Sequence, residues 1–184
     1  ESTNTASRRN SSLLFSFINR IICSGNLKEL MNIFYLDSDI KKCAAAHCDK
    51  HVVKMTLEYA QLLSVACRYY GLDCGYKETH SNHPCAIWAR YSEENFLYLV
   101  DLQHYLNEEY KLRFDHTVDH KSFTVVESLT LPRKFNNTGF TEPPKCVPDD
   151  LKELPVIEAY RAYYLRDKAY FCTWKTNKPD WWKN

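Results

Sequence analysis

Residues 44–66, AAAHCDKHVVKMTLEYAQLLSVA, decide how this chain folds. Val52, Val53, Met55, Leu57, Ala60, Leu63 and Ala66 cover so much of a helical circumference that a helix here is expected to be enclosed by protein rather than to lie on a surface. One polar stripe interrupts that apolar surface. At about 100° per residue, the steps from His47 to His51, Lys54 and Glu58 return to nearly one direction, and Gln61 extends the line by a turn. Titratable groups on an enclosed helix need partners or a pocket. One reading is an internal network, with Lys54 and Glu58 paired at i,i+4 and the histidines satisfied in the core. The other, taken as the expectation, is that the stripe lines a site.

Outward from this run the local signals predict helices on both sides. Asp37-Ser38-Asp39 carry N-cap chemistry, so the helix is predicted over 40–70, with room for a break near Cys48-Asp49, and Gly71 is its stop. Asn82 and Pro84 signal a second start by capping and by a pre-set φ angle. From there to about residue 114, Ile87, Trp88, Tyr91, Leu99, Leu102 and Leu106 fit an amphipathic helix with Glu93, Glu94, Glu108 and Glu109 facing solvent. Residues 115–155 hold all but two of the chain's seven prolines and read as loop, with a short strand or helix at 123–129. Pro155 opens a last helix over 156–174. The expected fold is all-α: a compact single domain over residues 31–184 with three principal helices and a long proline-containing loop. Residues 1–30 differ. They join a polar, unpatterned stretch to a short apolar run broken by Asn19 and Arg20, too short to span a bilayer and a poor match to a signal peptide. Met31 then opens MNIFYLD like a natural start, so residues 1–30 are expected to be a disordered or non-native extension.

Composition narrows the function classes. The chain has 184 residues, 45% hydrophobic and 14% aromatic, a globular mix. Its four glycines leave no phosphate-cradling loop. A formal charge of +1 gives no broad attraction to nucleic acid, so any such binding needs a local patch. Eight cysteines fall without CxxC pairs, mostly inside apolar patterns, which predicts reduced thiols and an intracellular protein. No membrane partner is expected, and the chain is expected to be a monomer.

Three constellations could carry chemistry. In the stripe, His47 and His51 at i,i+4 could hold a metal with Glu58 or His83, but no HExxH pattern is met and Lys54 would repel a cation, so neither metal nor cofactor is expected. Lys54 and Glu58 instead supply an amine and a carboxylate one turn apart; burial would push the lysine toward its neutral, nucleophilic form, and the carboxylate would move protons and stabilise cationic charge. His51 and His47 would serve as acid, base or phosphate donors. A second cluster, Thr79, His80, Asn82 and His83, with Arg90 seven residues further on, marks a helix start that could receive a phosphate, unless Asn82 merely caps the helix. In the third, Tyr160, Tyr163, Tyr164, Trp174, Trp181 and Trp182 interleave with lysines and arginines, the mix of a nucleic-acid surface. Most of these tyrosines are assigned to the core, with Arg161, Lys168 and Trp181 kept for nucleic-acid contacts.

The strings HCDKHVVKMTLE, THSNHPCAIWAR and AYRAYYLRDKAYF, with a terminal PDWW, resemble a family of small proteins encoded by phages and large DNA viruses. More remotely, the chain is similar to the phage pyrimidine-dimer DNA glycosylases of the endonuclease V class. Those are small helical enzymes with a D-x-H…E pattern on an early helix, a histidine opening a long middle helix and an aromatic, basic C-terminus. Asp49-Lys50-His51 with Glu58 match the first element, His83 resembles the second, and Trp174 to Trp182 loosely resemble the third. The resemblance implies an endonuclease V-like fold, with Glu58 as the carboxylate that stabilises the sugar intermediate and drives elimination. It also implies a location in a host's cytoplasm or nucleus. In that class the nucleophile is an α-amine exposed by removal of the initiator methionine. Here Asn32, too large for routine methionine removal, follows Met31, which leaves Lys54 or another amine for that role.

The expected function is therefore a DNA-acting, pyrimidine-dimer glycosylase/AP-lyase-like enzyme with Glu58, Lys54 and His51 as catalytic groups. His47, His83, Asn82, Arg90, Arg161, Lys168 and Trp181 are its expected substrate contacts, and DNA or a nucleotide its substrate. The alternatives are a phage-type nucleotide- or base-modifying enzyme without a covalent imine, and a noncatalytic nucleic-acid-binding protein.

Overall fold

Asp39 starts the first helix of the computed structural model, which describes residues 31–183: its carboxylate accepts from the backbone N–H groups of Lys41 (2.9 Å) and Lys42 (3.0 Å). The expectation for residues 1–30 lies outside the described residues. Among the described residues there are six α-helices: α1 (Ile40–Ala46), α2 (Asp49–Tyr69), α3 (Pro84–Ala89), α4 (Glu93–Phe114), α5 (Lys121–Glu127) and α6 (Val156–Tyr163). Among the described residues the only β pairing outside helices is a single parallel bridge between Ser92 and Asn137. The protein is all-α, as expected, and each predicted long helix is interrupted, the first within a residue of where room for a break was expected. The first breaks into α1 and α2 at His47-Cys48, the second into α3 and α4 at Arg90–Ser92, and the third ends in a π turn over Tyr164–Lys168.

Each interruption has a physical cause. At His47 the backbone turns extended (ψ 131°), and the carbonyls left open at the end of α1 are met from outside: Arg113 on α4 donates to His47 O and Ala45 O, both at 2.7 Å, and Trp174 Nε1 donates to Ala46 O at 3.2 Å. At Ser92 the hydroxyl accepts from the Asn95 N–H (3.2 Å) and donates to Gly139 O (2.9 Å), which restarts the helix as α4. Gly71 lies just beyond α2 with φ +81°, the left-handed position a helix stop requires, and the chain turns there as predicted. Of the segment 123–129, residues 123–127 are helix and form most of α5.

The long helices α2 and α4 lie against each other. α1 packs on α4, and α3 and α5 pack on α2. Met55, Leu62, Leu63, Leu99, Leu102 and Leu106 fill the space between them, and the extended stretch 33–36 is buried with them. Enclosure of α2 is nevertheless incomplete, because Val53 and Leu57, expected inside, are each 39% exposed. No helix among the described residues is long and apolar enough to cross a membrane. Seven described cysteines are free thiols.

Candidate functional site

The break between α1 and α2 divides the polar stripe, so its members meet different surroundings. His47 ends α1, fully buried; its Nδ1 lies 2.7 Å from Cys43 O and its Nε2 3.0 Å from the Tyr59 hydroxyl. Burial, helped by the Arg113 charge and opposed by the bond to Cys43 O, pulls this imidazole down to about 4. His51 is also buried: Phe34 stacks on it at 4.5 Å and the Tyr164 hydroxyl is 2.5 Å from its Nδ1. Burial first, then the neighbouring His47, Lys168, Lys54 and Lys50, holds His51 well below the ordinary histidine range. Both rings are neutral members of the core that tie the segment 33–36 and α6 to α2. For the two histidines the internal-network reading describes the structure, and neither reaches solvent to donate to a phosphate.

Lys54 and Glu58 differ. They form the expected i,i+4 pair at 3.4 Å, with the lysine side chain 50% exposed and the glutamate side chain 12% exposed. The stripe thus opens at its C-terminal half into an accessible edge where an amine adjoins a half-buried carboxylate. The burial expected to make Lys54 neutral is absent, because the turn that carries it also carries exposed Val53 and Leu57. Lys54 is half-exposed and paired with Glu58.

The second cluster is rebuilt. The cap of α3 is His83, whose Nδ1 accepts from the Cys85 N–H at 3.2 Å, while Asn82 is exposed and caps nothing. Pro84 at the first helical position forces His83 into an extended conformation (ψ 141°), which points its ring back over the turn. Arg90 is half-buried, lies 4.4 Å over the Tyr69 ring and donates to Ser81 O at 2.5 Å, so it clamps the loop before α3. A loop from the far side is brought here by Asn95. The Asn95 amide spans Trp88 O (3.1 Å) and Thr141 Oγ1 (2.9 Å), and the Thr141 N–H donates back to Asn95 Oδ1 at 2.9 Å. Trp88 Nε1 donates to Thr141 O at 2.9 Å, fixing the same loop. A few residues on, Cys146 arrives with its Sγ 3.8 Å from the Sγ of Cys85. The ligating atoms of His83, Cys85 and Cys146 lie within 4.8 Å of one another, the sole group of this kind among the described residues. Sequence reasoning weighed a metal on His47 and His51 with Glu58 or His83 and expected none; it did not bring Cys85 and Cys146 to His83. No local spacing signals Cys146, since 61 residues separate it from Cys85.

In the third cluster, Tyr160 and Tyr164 are buried as assigned, but Lys168 is buried too, 7% exposed and 4.9 Å over the Tyr163 ring. Lys168 closes the π turn that follows α6, four residues after buried Tyr164. Arg161 donates to Leu36 O (2.8 Å) and to Asp37 Oδ2 (2.9 Å), and its guanidinium lies 5.3 Å over the Trp181 ring. Arg161 and Trp181 share the wall of a cleft of about 420 Å³ with Lys42, Asp37, Lys178 and Asp180. Of the expected contacts, these two converge; Lys54 and Glu58 line a different part of the surface. Searches against known protein families, curated proteins and solved structures find no match for this chain.

Proposed function

We propose that this protein acts on DNA as a glycosylase/AP-lyase-type enzyme, with Glu58 as the carboxylate and Lys54 as the amine. The observation that carries the reading is the Lys54–Glu58 pair: a carboxylate and a primary amine 3.4 Å apart at the accessible edge of an otherwise packed helix. Glu58 takes a proton from Lys54 as the aldehyde form of an abasic sugar arrives. The freed amine adds to C1′, water leaves and a protonated imine forms. Loss of a proton from C2′ then breaks the C3′–O bond, the downstream strand departs as its 5′-phosphate, and hydrolysis of the imine returns the amine. Arg161 and Trp181 supply a cation and a stacking plane for the flanking strand.

Borohydride trapping on abasic and ultraviolet-irradiated duplexes tests this. The wild-type protein is expected to give a covalent adduct and strand cleavage, Lys54→Ala to lose the adduct, and Glu58→Gln to lose cleavage. No adduct and no cleavage from the wild type removes the proposal. The ion-paired, half-exposed state of Lys54 favours one further reading, base or nucleotide modification by acid/base chemistry without an imine. Under it, Lys54→Ala weakens binding, Glu58→Gln abolishes turnover, and nothing is trapped.

A further inference from the structure

We propose that His83, Cys85 and Cys146 form a zinc site, independent of the Lys54–Glu58 edge. Zinc bonds thiolate sulfur at about 2.3 Å, and the edge of a tetrahedron built on that bond is about 3.8 Å. The two sulfurs stand 3.8 Å apart. A ring nitrogen of His83 completes a three-atom set spanning no more than 4.8 Å. Two other thiol pairs touch in this protein, Cys48 with Cys172 and Cys67 with Cys74, yet neither has a third ligand beside it among the described residues. Sulfur–sulfur contact alone therefore does not distinguish the site; the histidine does.

The backbone around the three ligands is stiff. Pro84 separates His83 from Cys85 and sets the φ angle between them, and Pro144 precedes Cys146 by two residues. The Tyr160 hydroxyl donates to Pro144 O at 2.6 Å and accepts from the Cys146 N–H at 3.3 Å, so a buried tyrosine positions the loop that brings the second sulfur. Outer contacts of this kind orient metal ligands. Cys85 is buried and His83 and Cys146 are half-buried, and three protein ligands leave a fourth coordination position for water. Three protein ligands with an open fourth position is the arrangement of zinc sites that bind water or a substrate oxygen. Binding converts two thiols to thiolates and releases two protons, and the resulting Zn²⁺(S⁻)₂(imidazole) unit carries no net charge, which suits a half-buried position.

The test uses the full chain, reduced and stripped of metal by a chelator, then titrated with zinc against a chromophoric competitor and, separately, with cobalt(II). One equivalent of zinc per chain is expected, with a thiolate-to-cobalt charge-transfer band and the visible bands of tetrahedral cobalt. Cys146→Ser and His83→Gln should each weaken zinc binding by at least about tenfold, the scale on which even outer-sphere changes act. Cys74→Ser and Cys172→Ser should leave it unchanged. Should Cys146→Ser fail to fold, the wild-type cobalt spectrum decides. Absence of the charge-transfer band, equal zinc affinity in wild type and Cys146→Ser, or a Cys85–Cys146 disulfide that persists under reducing conditions overturns the proposal.

Discussion

Arg113→Ala is expected to be among the most damaging single substitutions available away from the apolar core. The side chain is completely enclosed, and every arm of its guanidinium is used. Nε donates to Glu109 Oε2 (2.7 Å), one terminal nitrogen to His47 O (2.7 Å) and Asp49 Oδ1 (3.2 Å), and the other to Ala45 O (2.7 Å). Truncation leaves two carbonyls at the end of α1 unsatisfied and two carboxylates, 13% and 12% exposed, without their shared cation. Removing one partner from a buried charge cluster costs about 3–5 kcal/mol. For a domain of this size that corresponds to a fall in Tm of about 6–20 °C. Urea and thermal melts followed by circular dichroism and tryptophan fluorescence measure it. Arg113→Lys, which keeps the charge and loses the planar fork, should fall between wild type and alanine. Arg113→Met combined with Asp49→Asn and Glu109→Gln should recover part of the loss, because no buried charge is then stranded. A penalty for Arg113→Ala below about 1 kcal/mol would refute the view that this guanidinium holds the break between α1 and α2.

Acid should destabilise the fold through His47. Its folded value of about 4 lies below the ordinary 6.5, so the unfolded chain binds the extra proton first, and stability falls as pH drops from about 6.5 toward 4. The full loss is about 3 kcal/mol, read from urea midpoints across that range; midpoints that do not move would contradict the neutral, buried assignment. Gly75→Ala should cost about 2–4 kcal/mol, because φ is +71° and a Cβ there runs into Ser64 Oγ and Leu129. Gly71→Ala has a similar φ but open space, so its cost should be smaller by at least about 1 kcal/mol; equal melting points for the two variants would refute the clash.

The features that were legible in the sequence are those set by neighbours in the chain. Asp39 caps α1, Gly71 ends α2 and Pro84 opens α3 because capping, left-handed turns and proline geometry act over three or four residues. The apolar period of residues 44–66 located the central helix. The break within it, allowed for near Cys48-Asp49, falls at His47-Cys48, but the groups that stabilise it were not legible, because Arg113 and Trp174 lie 66 and 128 residues from their acceptors. Glu109, expected in solvent, is drawn inward by the same arginine. The candidate site follows the same rule. Lys54 and Glu58 were readable as a pair because one turn of helix joins them, although their exposure depended on what packs around α2. Cys146 reaches Cys85 through the clamp that Asn95 and Trp88 place on the loop near Thr141 and through the bonds of Tyr160 to Pro144 and Cys146, contacts no periodicity encodes. Lys168 was misplaced because it was kept for contacts on its charge, although it lies four and eight residues after buried Tyr164 and Tyr160 and packs over the Tyr163 ring.

Fastening the segment 33–36 beneath the last helix also bears on how quickly the protein can fold. Its helices are local structures that form early and fast, yet the bonds that join His51 to Tyr164, Leu36 to Arg161 and Ala46 to Trp174 close sequence separations of 113, 125 and 128 residues. Each such closure carries a loop-entropy cost that the helices alone do not meet. The chain therefore combines local helices with closures that span most of its described length, and docking of its last third is expected to follow helix formation and to be slower than it.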